Sequence, residues 1–456
     1  MSAEAKTGST MTDGSNKRTR RASPRRGDTP FDRFVREERE GGRLTRLTGL
    51  RGAANRVAAS HLIRAHGDRP VLYVTPHSRA ADAAALALRG LLGEREDATR
   101  IRAFPRHDTL PFDRFSPHPF LVSQRMAILH RLDQSLLGSD ETNPIIIAPR
   151  SALALRVPSR QTLRASTQRI SVADSLDRDL FVARLVGLGY QRMALVEEPG
   201  EVAVRGDIVD VFPPQLAKPL LIELWGDEVD SIRSFDPASQ RSQTKCSTAV
   251  LPPPRELLFD REDVIERSDG IRARAEEQGI AIAEIDTLID SLLRGHLPAG
   301  AESLAPLIQP ELERFFDYLP HDVLVLVEEP EEGADRLEKI FGEIASNLDA
   351  AVDERLTVPI GSLMLTSDEV STALEACDAI RIERLDIELS ANETGRHRVE
   401  TQTHDELRRE LATSRSHEHA LTPLVDRCRD WLLDRWRVVI ACSSLSSAER
   451  LRSLLG

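Results

Sequence analysis

Aromatic residues are few: 3 Trp, 3 Tyr and 13 Phe make up 4% of 456 residues. Any core is therefore aliphatic, of Leu, Val, Ile and Ala. Cysteine is scarcer still. Cys246, Cys377, Cys428 and Cys442 form no C-x-x-C pair, which argues against a zinc ribbon or redox dithiol and for a reducing, cytoplasmic setting. The four read as small buried hydrophobes. No apolar run nears the ~18 residues of a spanning helix, so no membrane role is expected. Nor is there a basic excess: 61 Lys and Arg face 73 Asp and Glu, a net of −12. A body this acidic is poorly suited to coating nucleic acid. No Gly-x-Ser-x-Gly elbow occurs. His417 and His419, with His397 and His404 upstream, lie in a polar stretch without metal-ligand spacing. His107, Asp108 and His118 sit in a Pro-rich loop that reads as turn chemistry. No catalytic residue and no metal site are expected. What is present, 40% hydrophobic and 29% charged residues, is the composition of a folded soluble chain.

The length suggests about three domains. Residues 1–29, basic and rich in Ser, Thr, Gly and Pro, read as a disordered tail. Residues 30–154 alternate strand and helix: strands Arg43–Leu50, Pro70–Thr75, Arg100–Phe104 and Pro144–Ala148, helices Asn55–His66, Ala80–Leu92 and Val122–Leu137. That alternation predicts an α/β parallel sheet with helices on its faces. Residues 155–252 change character to an α+β unit, with a helix over Asp179–Leu188 stopped at Gly189 and strands of period two. Leu220–Trp225 and Glu228–Phe235 flank Gly226-Asp227, a two-residue hairpin loop. Residues 253–358 return to the α/β pattern, with a strand over Asp322–Val327, a solvated acidic run at 328–335 and a helix over 333–346. A small α/β unit over 359–456, which reads as incomplete, closes the chain; in it Thr422 caps a helix beginning at Pro423, Arg437–Cys442 is a strand, and Ser446 with Glu449 makes a capping box.

Gly49-Leu-Arg-Gly52-Ala-Ala54-Asn55-Arg56 stands between a strand and a helix, the context of a phosphate-binding loop. The second glycine is replaced by Ala54, the lysine by Asn55 and the hydroxyl residue by Arg56. With no ammonium for the terminal phosphates and no magnesium ligand, ATP hydrolysis and an ATP cofactor are not expected of this chain. In the stretch 200–214, Asp207 and Asp210 are three apart on what reads as one strand, facing opposite ways, as solvated or turn-capping acids. Arg205 precedes Gly206, which suggests a bulge or close backbone approach. Arg205 is either an ion-pair partner of Glu223 or Asp227 or an exposed contact. Trp225 either packs beside the Gly226 turn or stands open to a partner.

The run Gly189-Tyr190-x-Arg192, Glu197, Pro199-Gly200-Glu201, Val204-Arg205-Gly206-Asp207-Ile208-Val209-Asp210-Val211-Phe212-Pro213, followed by Ile222-Glu223-Leu224-Trp225-Gly226-Asp227-Glu228-Val229, Ile232-Arg233, Phe235-Asp236 and Ser239-Gln240-Arg241-Ser242, resembles the interaction domain shared by the excision-nuclease protein UvrB and the bacterial transcription-repair coupling factors (Mfd). The Gln-Arg-Ser ending, and Leu110-Pro111-Phe112, Phe115-Ser116-Pro117, Gln124-Arg125 and Leu129 upstream, are similar to the coupling factors. So is the degenerate phosphate loop, together with the lack of a tyrosine-rich hairpin.

The resemblance implies a degenerate helicase-like domain with an inserted α+β interaction domain and a small following domain. It implies a non-catalytic recruitment module that docks the excision-nuclease protein UvrA during nucleotide excision repair. RNA polymerase, DNA and ATP would be engaged only by polymerase-binding and motor domains beyond residue 456. Arg205 and Trp225 carry over as docking residues. Leu221 stands where the family usually has a second arginine, which removes a charge-assisted contact of about 1.5–3 kcal/mol when buried. Gly206, Asp207, Asp210, Gly226 and Asp227 carry over as structural residues of the motif. The alternatives are a fragment of an ATP-dependent DNA translocase, a divergent damage-verifying UvrB, and a nucleic-acid binder that uses the basic tail.

Overall fold

The computed structural model describes residues 44–67, 69–93, 100–137, 143–309, 311–377, 379–386, 395–413, 421–436 and 444–455, with positions 35, 438, 440 and 442. The expected tail at 1–29, His417 and His419, and most of the strand expected at 437–442 lie outside these residues. One compact unit covers residues 34–403, and the residues from His404 on belong to another.

The larger unit is built on a seven-stranded, wholly parallel sheet. Its first four strands are β1 (Arg46–Thr48), β2 (Val71–Thr75), β3 (Ile101–Ala103) and β4 (Ile145–Pro149). Between them run helices α1 (Ala54–Ala65), α2 (Ser78–Leu92) and α3 (Pro119–Leu136). The continuous apolar runs VLYVT and IIIAP are buried at every position, as strands covered on both faces must be.

The chain then leaves this sheet. Strand β5 (Gln168–Ser171), a helix over Arg178–Gly187, and strands β6 (Gln191–Arg192), β7 (Glu201–Arg205), β8 (Ile208–Val211), β9 (Leu220–Trp225), β10 (Glu228–Phe235), β11 (Ser242–Cys246) and β12 (Thr248–Leu251) make the α+β part. The six strands from β6 to β11 form one sheet in chain order, antiparallel except where β6 meets β7. One face buries Val202, Val209, Val211, Ile222, Leu224 and Ile232 against Phe181, Val182 and Leu185 of the helix. Gly189, at φ +104°, turns the chain after that helix.

The parallel sheet resumes with β13 (Leu324–Glu328), β14 (Ile380–Ile382) and β15 (Arg396–Arg398), giving the order β15-β1-β14-β13-β2-β4-β3. Strand β1 pairs with both β14 and β15. Residues 380–382 and 396–398, placed by sequence in the closing unit, are therefore strands of the large sheet. No periodicity could reveal this, because their partner lies more than 330 residues earlier. Glu328 also departs from expectation. It is no solvated acid but the buried last residue of β13, and the helix after it, Pro330–Ala351, begins beyond Glu329 at φ +46°.

From His404 on, the described elements are helices Asp405–Thr413, Thr422–Leu433 and Leu445–Leu455. Two expected caps shift. Leu421, without a side-chain bond, precedes the helix in which Thr422 is already the first residue. Ser444 Oγ, not Ser446, accepts from Ser447 N at 3.2 Å. The four cysteines are half-buried rather than buried.

Candidate docking face and the loop after the first strand

Gly49 leaves β1 at φ +80°, and a Cβ there would lie 2.5 Å from the Val399 carbonyl oxygen. The close approach that demands glycine is thus made by the protein's own backbone. Thr401 Oγ1 donates to Gly49 O at 2.6 Å and accepts from Arg51 N at 3.1 Å. Ala54 opens α1. Asn55 is turned inward and buried, its Nδ2 donating to Glu328 Oε1. The Tyr73 hydroxyl donates to Glu328 Oε2 at 2.8 Å, and Arg56 stands 3.7 Å from Oε1. Burial pushes the Glu328 carboxyl above its usual range, while Arg56 and the Tyr73 hydrogen bond pull it back. Asn55 and Arg56, at the positions of the missing lysine and hydroxyl, therefore serve an internal carboxylate. A glutamate 273 residues away in sequence gave no sign of this.

In the interaction sheet, the stretch read as a single strand is a hairpin. Gly206-Asp207 is a two-residue turn between β7 and β8, with Arg205 opposite Ile208. Gly226-Asp227 is the expected turn between β9 and β10, with Trp225 opposite Glu228. Each glycine has positive φ, +60° and +62°, the conformation that a Gly-first hairpin loop requires. Leu224 N donates to Asp207 O at 2.9 Å, so the two turns lie side by side at one end of the sheet. Arg178 braces the first turn by donating to Gly206 O at 2.7 Å.

The sheet face away from its helix carries the cross-strand row Ala203, Asp210, Leu221, Arg233 and Lys245, and nearer the turns Arg205, Ile208, Glu223 and Ser231. Arg205 pairs with Asp210 at 2.5 Å, not with Glu223 or Asp227. The hairpin brings these two residues onto one face, so Asp210 is no solvated acid: its side chain is 1% exposed against 45% for Arg205. Asp207, in the turn, is exposed. Glu223 instead pairs with Arg233 and accepts from Ser231. Leu221 is half-buried against Val196, Ala203, Phe212 and Phe235, directly across from Arg233. A cationic group thus flanks the position that lacks one. Trp225 is 83% exposed, which removes core packing as its role. Sequence reasoning missed the Arg233–Glu223 pair and the Asp210 anchor of Arg205.

Burial raises the Asp210 pKa, and Arg205 opposes that rise. An aspartate raised above its unfolded value near 3.9 favours folding when protonated and costs stability as pH rises through that range. Arg205→Ala removes the opposing charge. It is expected to cost about 1–3 kcal/mol at neutral pH, and less as pH falls to about 4, with recovery by adding Asp210→Asn. Urea unfolding across pH checks this; a deficit independent of pH would count against it.

A second polar cluster ties the connector at 254–257 to α3 of the parallel-sheet domain. Arg125 of α3, 0% exposed, donates from Nε to Glu256 Oε1 at 2.5 Å and from Nη1 to Pro105 O at 2.9 Å, and its guanidinium lies 4.2 Å above the Phe104 ring. His107 Nε2 is 3.1 Å from Glu256 Oε2. Burial pushes Glu256 up, but Arg125 and His107 outweigh it and hold the carboxyl down at about 2. Among the described residues, no group of three or more His, Cys, Asp or Glu side chains is placed to hold a metal ion, and no helix is long and apolar enough to cross a membrane.

The α+β part matches the family described as the UvrB interaction domain over residues 169–257. Along nearly its whole length the chain is similar to a transcription-repair-coupling factor of Myxococcus xanthus, 32% identical over 445 residues, 95% of this chain and 36% of that protein. Proteins of the same name from Mycobacterium bovis and Escherichia coli K12 are 34% and 28% identical, over 65% and 72% of this chain and 24% and 28% of their own lengths. The fold and the paired turns thus define a protein built around a UvrB interaction domain. Within that class its homologues, matched along as much as 95% of this chain, are proteins named transcription-repair-coupling factor. It spans about a third of the length of these relatives or less.

Proposed function

We propose that this chain serves transcription-coupled repair as a docking module, receiving the excision-nuclease protein UvrA on the open sheet face at Arg205 and Trp225. The observation that carries the proposal is an indole left in solvent at one hairpin turn and, on the same sheet, a guanidinium fixed by a buried carboxylate. Trp and Arg dominate interface energetics, and a prepositioned arginine loses less freedom on binding. Leu221 and the Glu223–Arg233 pair extend the face. The relatives' name supports the setting. RNA polymerase and DNA, the further partners of such a factor, would be met by parts outside these residues.

The module hydrolyses nothing in this reading, because Asn55 and Arg56 are committed to Glu328. ATP turnover with DNA is expected at background, and turnover above it would favour the motor-fragment reading. Docking is tested by titrating UvrA with wild-type chain and with the Arg205→Ala/Asp210→Asn pair, which removes the charge without orphaning the acid. At least roughly tenfold weaker binding is expected; equal binding would remove Arg205 from the interface.

A further inference from the structure

Where the interaction domain meets the parallel-sheet domain there is a cavity of about 200 Å³. Its walls come from the Pro-rich loop at 107–117, from Gly189 and Gln191, from the connector at 254–257, and from the segment 300–305. The lining is mostly apolar, with Leu110, Val122, Leu155 and Leu257 among it. Into this setting the connector delivers Arg255.

The stem of Arg255 lies flat on Gly189, where even a Cβ would come within 2.7 Å of its Cγ and Cδ. Its guanidinium carbon stands 5.0 Å from the Phe259 ring centroid. Beyond that ring it has no hydrogen-bond or ion-pair partner among the described residues, and its Nε is buried without one. Glu302, the acid whose charge acts on it, accepts from Ser116 Oγ at 2.9 Å. Glu256, the other acid in the wall, is taken by Arg125 and His107. Burial lowers the Arg255 pKa to about 10, with Glu302 raising it somewhat, so the group remains a cation at neutral pH. The residue as a whole is half-buried, but a buried Nε without an acceptor is costly, and such an atom marks a place where a partner belongs. Pockets of this form, apolar with one fixed polar anchor at a domain junction, suit small ligands.

We infer that this cavity binds a small organic anion, an aromatic or compact apolar body carrying one phosphate or carboxylate that pairs with Arg255. The volume admits about one ring, and the planar guanidinium fork suits either anion. The site is separate from the docking face, so it stands or falls independently of the function proposed above.

Phenyl phosphate, benzoate and neutral benzyl alcohol serve as probes, with binding to the 456-residue chain read by ligand-observed NMR. Both anions are expected to bind with submillimolar to millimolar affinity, and the tighter of the two indicates the natural head group. Arg255→Met keeps the stem on Gly189; it should weaken both anions at least roughly tenfold and leave benzyl alcohol within about twofold. Gln191→Trp, at the cavity wall with Arg255 untouched, should weaken all three probes by obstruction, and it keeps the test valid if Arg255→Met fails to fold. Absence of anion binding at about 10 mM, roughly the weakest affinity worth the name, would overturn the inference. So would anion binding that both variants leave unchanged.

Discussion

Arg125→Met is expected to lower the unfolding free energy by about 3–5 kcal/mol, the cost of stranding a buried partner charge. Arg125 is fully buried and ends on three things at once: the Glu256 carboxylate, the Pro105 carbonyl and the Phe104 ring. Phe104 in turn packs on Phe315 with centroids 4.5 Å apart. Methionine fills much of the volume but leaves Glu256 with only His107. The pH dependence follows from the depressed carboxyl. Glu256, held at about 2, contributes stability that is present above its unfolded value near 4.3 and lost as pH falls towards 2. In the variant burial is no longer outweighed by the arginine, so the acid takes up a proton more readily and the deficit should shrink in acid. Arg125→Met with Glu256→Leu should recover part of the loss, since a buried pair can be replaced by apolar groups at little cost. Urea unfolding of the single and double variants measures this; a single-variant loss below about 1 kcal/mol would show that the cluster does not hold the connector in place.

Trp225→Ala is expected to do the opposite: leave stability within about 0.5 kcal/mol, as exposed surface changes do, and remove about 2 kcal/mol or more of docking energy. The indole is 83% exposed at the tip of a turn whose backbone geometry comes from Gly226 rather than from the side chain. Nothing in the fold needs the ring. An exposed tryptophan on the same sheet as an anchored arginine is the composition of an interface centre, and roughly thirtyfold weaker binding corresponds to that energy.

Much of this was legible in the sequence, for reasons that differ by element. The parallel strands β2 and β4 announced themselves as apolar runs. The Gly226-Asp227 hairpin did so through its two-residue loop. The second Gly-Asp turn, at 206–207, had the same signal but was read through, because charged and apolar residues around it run on without a break. The open face could not be composed from turn geometry alone. A regular hairpin closed at 226–227 would set Leu221 opposite Ile232. The observed register shifts between Glu223 and Leu224, and Leu221 faces Arg233 instead. One extra residue in β10 thus moves an arginine to the other side of the sheet. The Asn55–Glu328–Tyr73 cluster and the return of β14 and β15 to β1 were illegible for another reason: they join positions hundreds of residues apart, and local pattern carries no trace of them.

The decisive experiment is a calorimetric titration of purified UvrA with the 456-residue chain and with Trp225→Ala. Saturable binding by the wild type, weakened roughly thirtyfold in a variant of unchanged stability, is the expected result. Indistinguishable isotherms for the two proteins, or no wild-type binding at all, would contradict docking through this face.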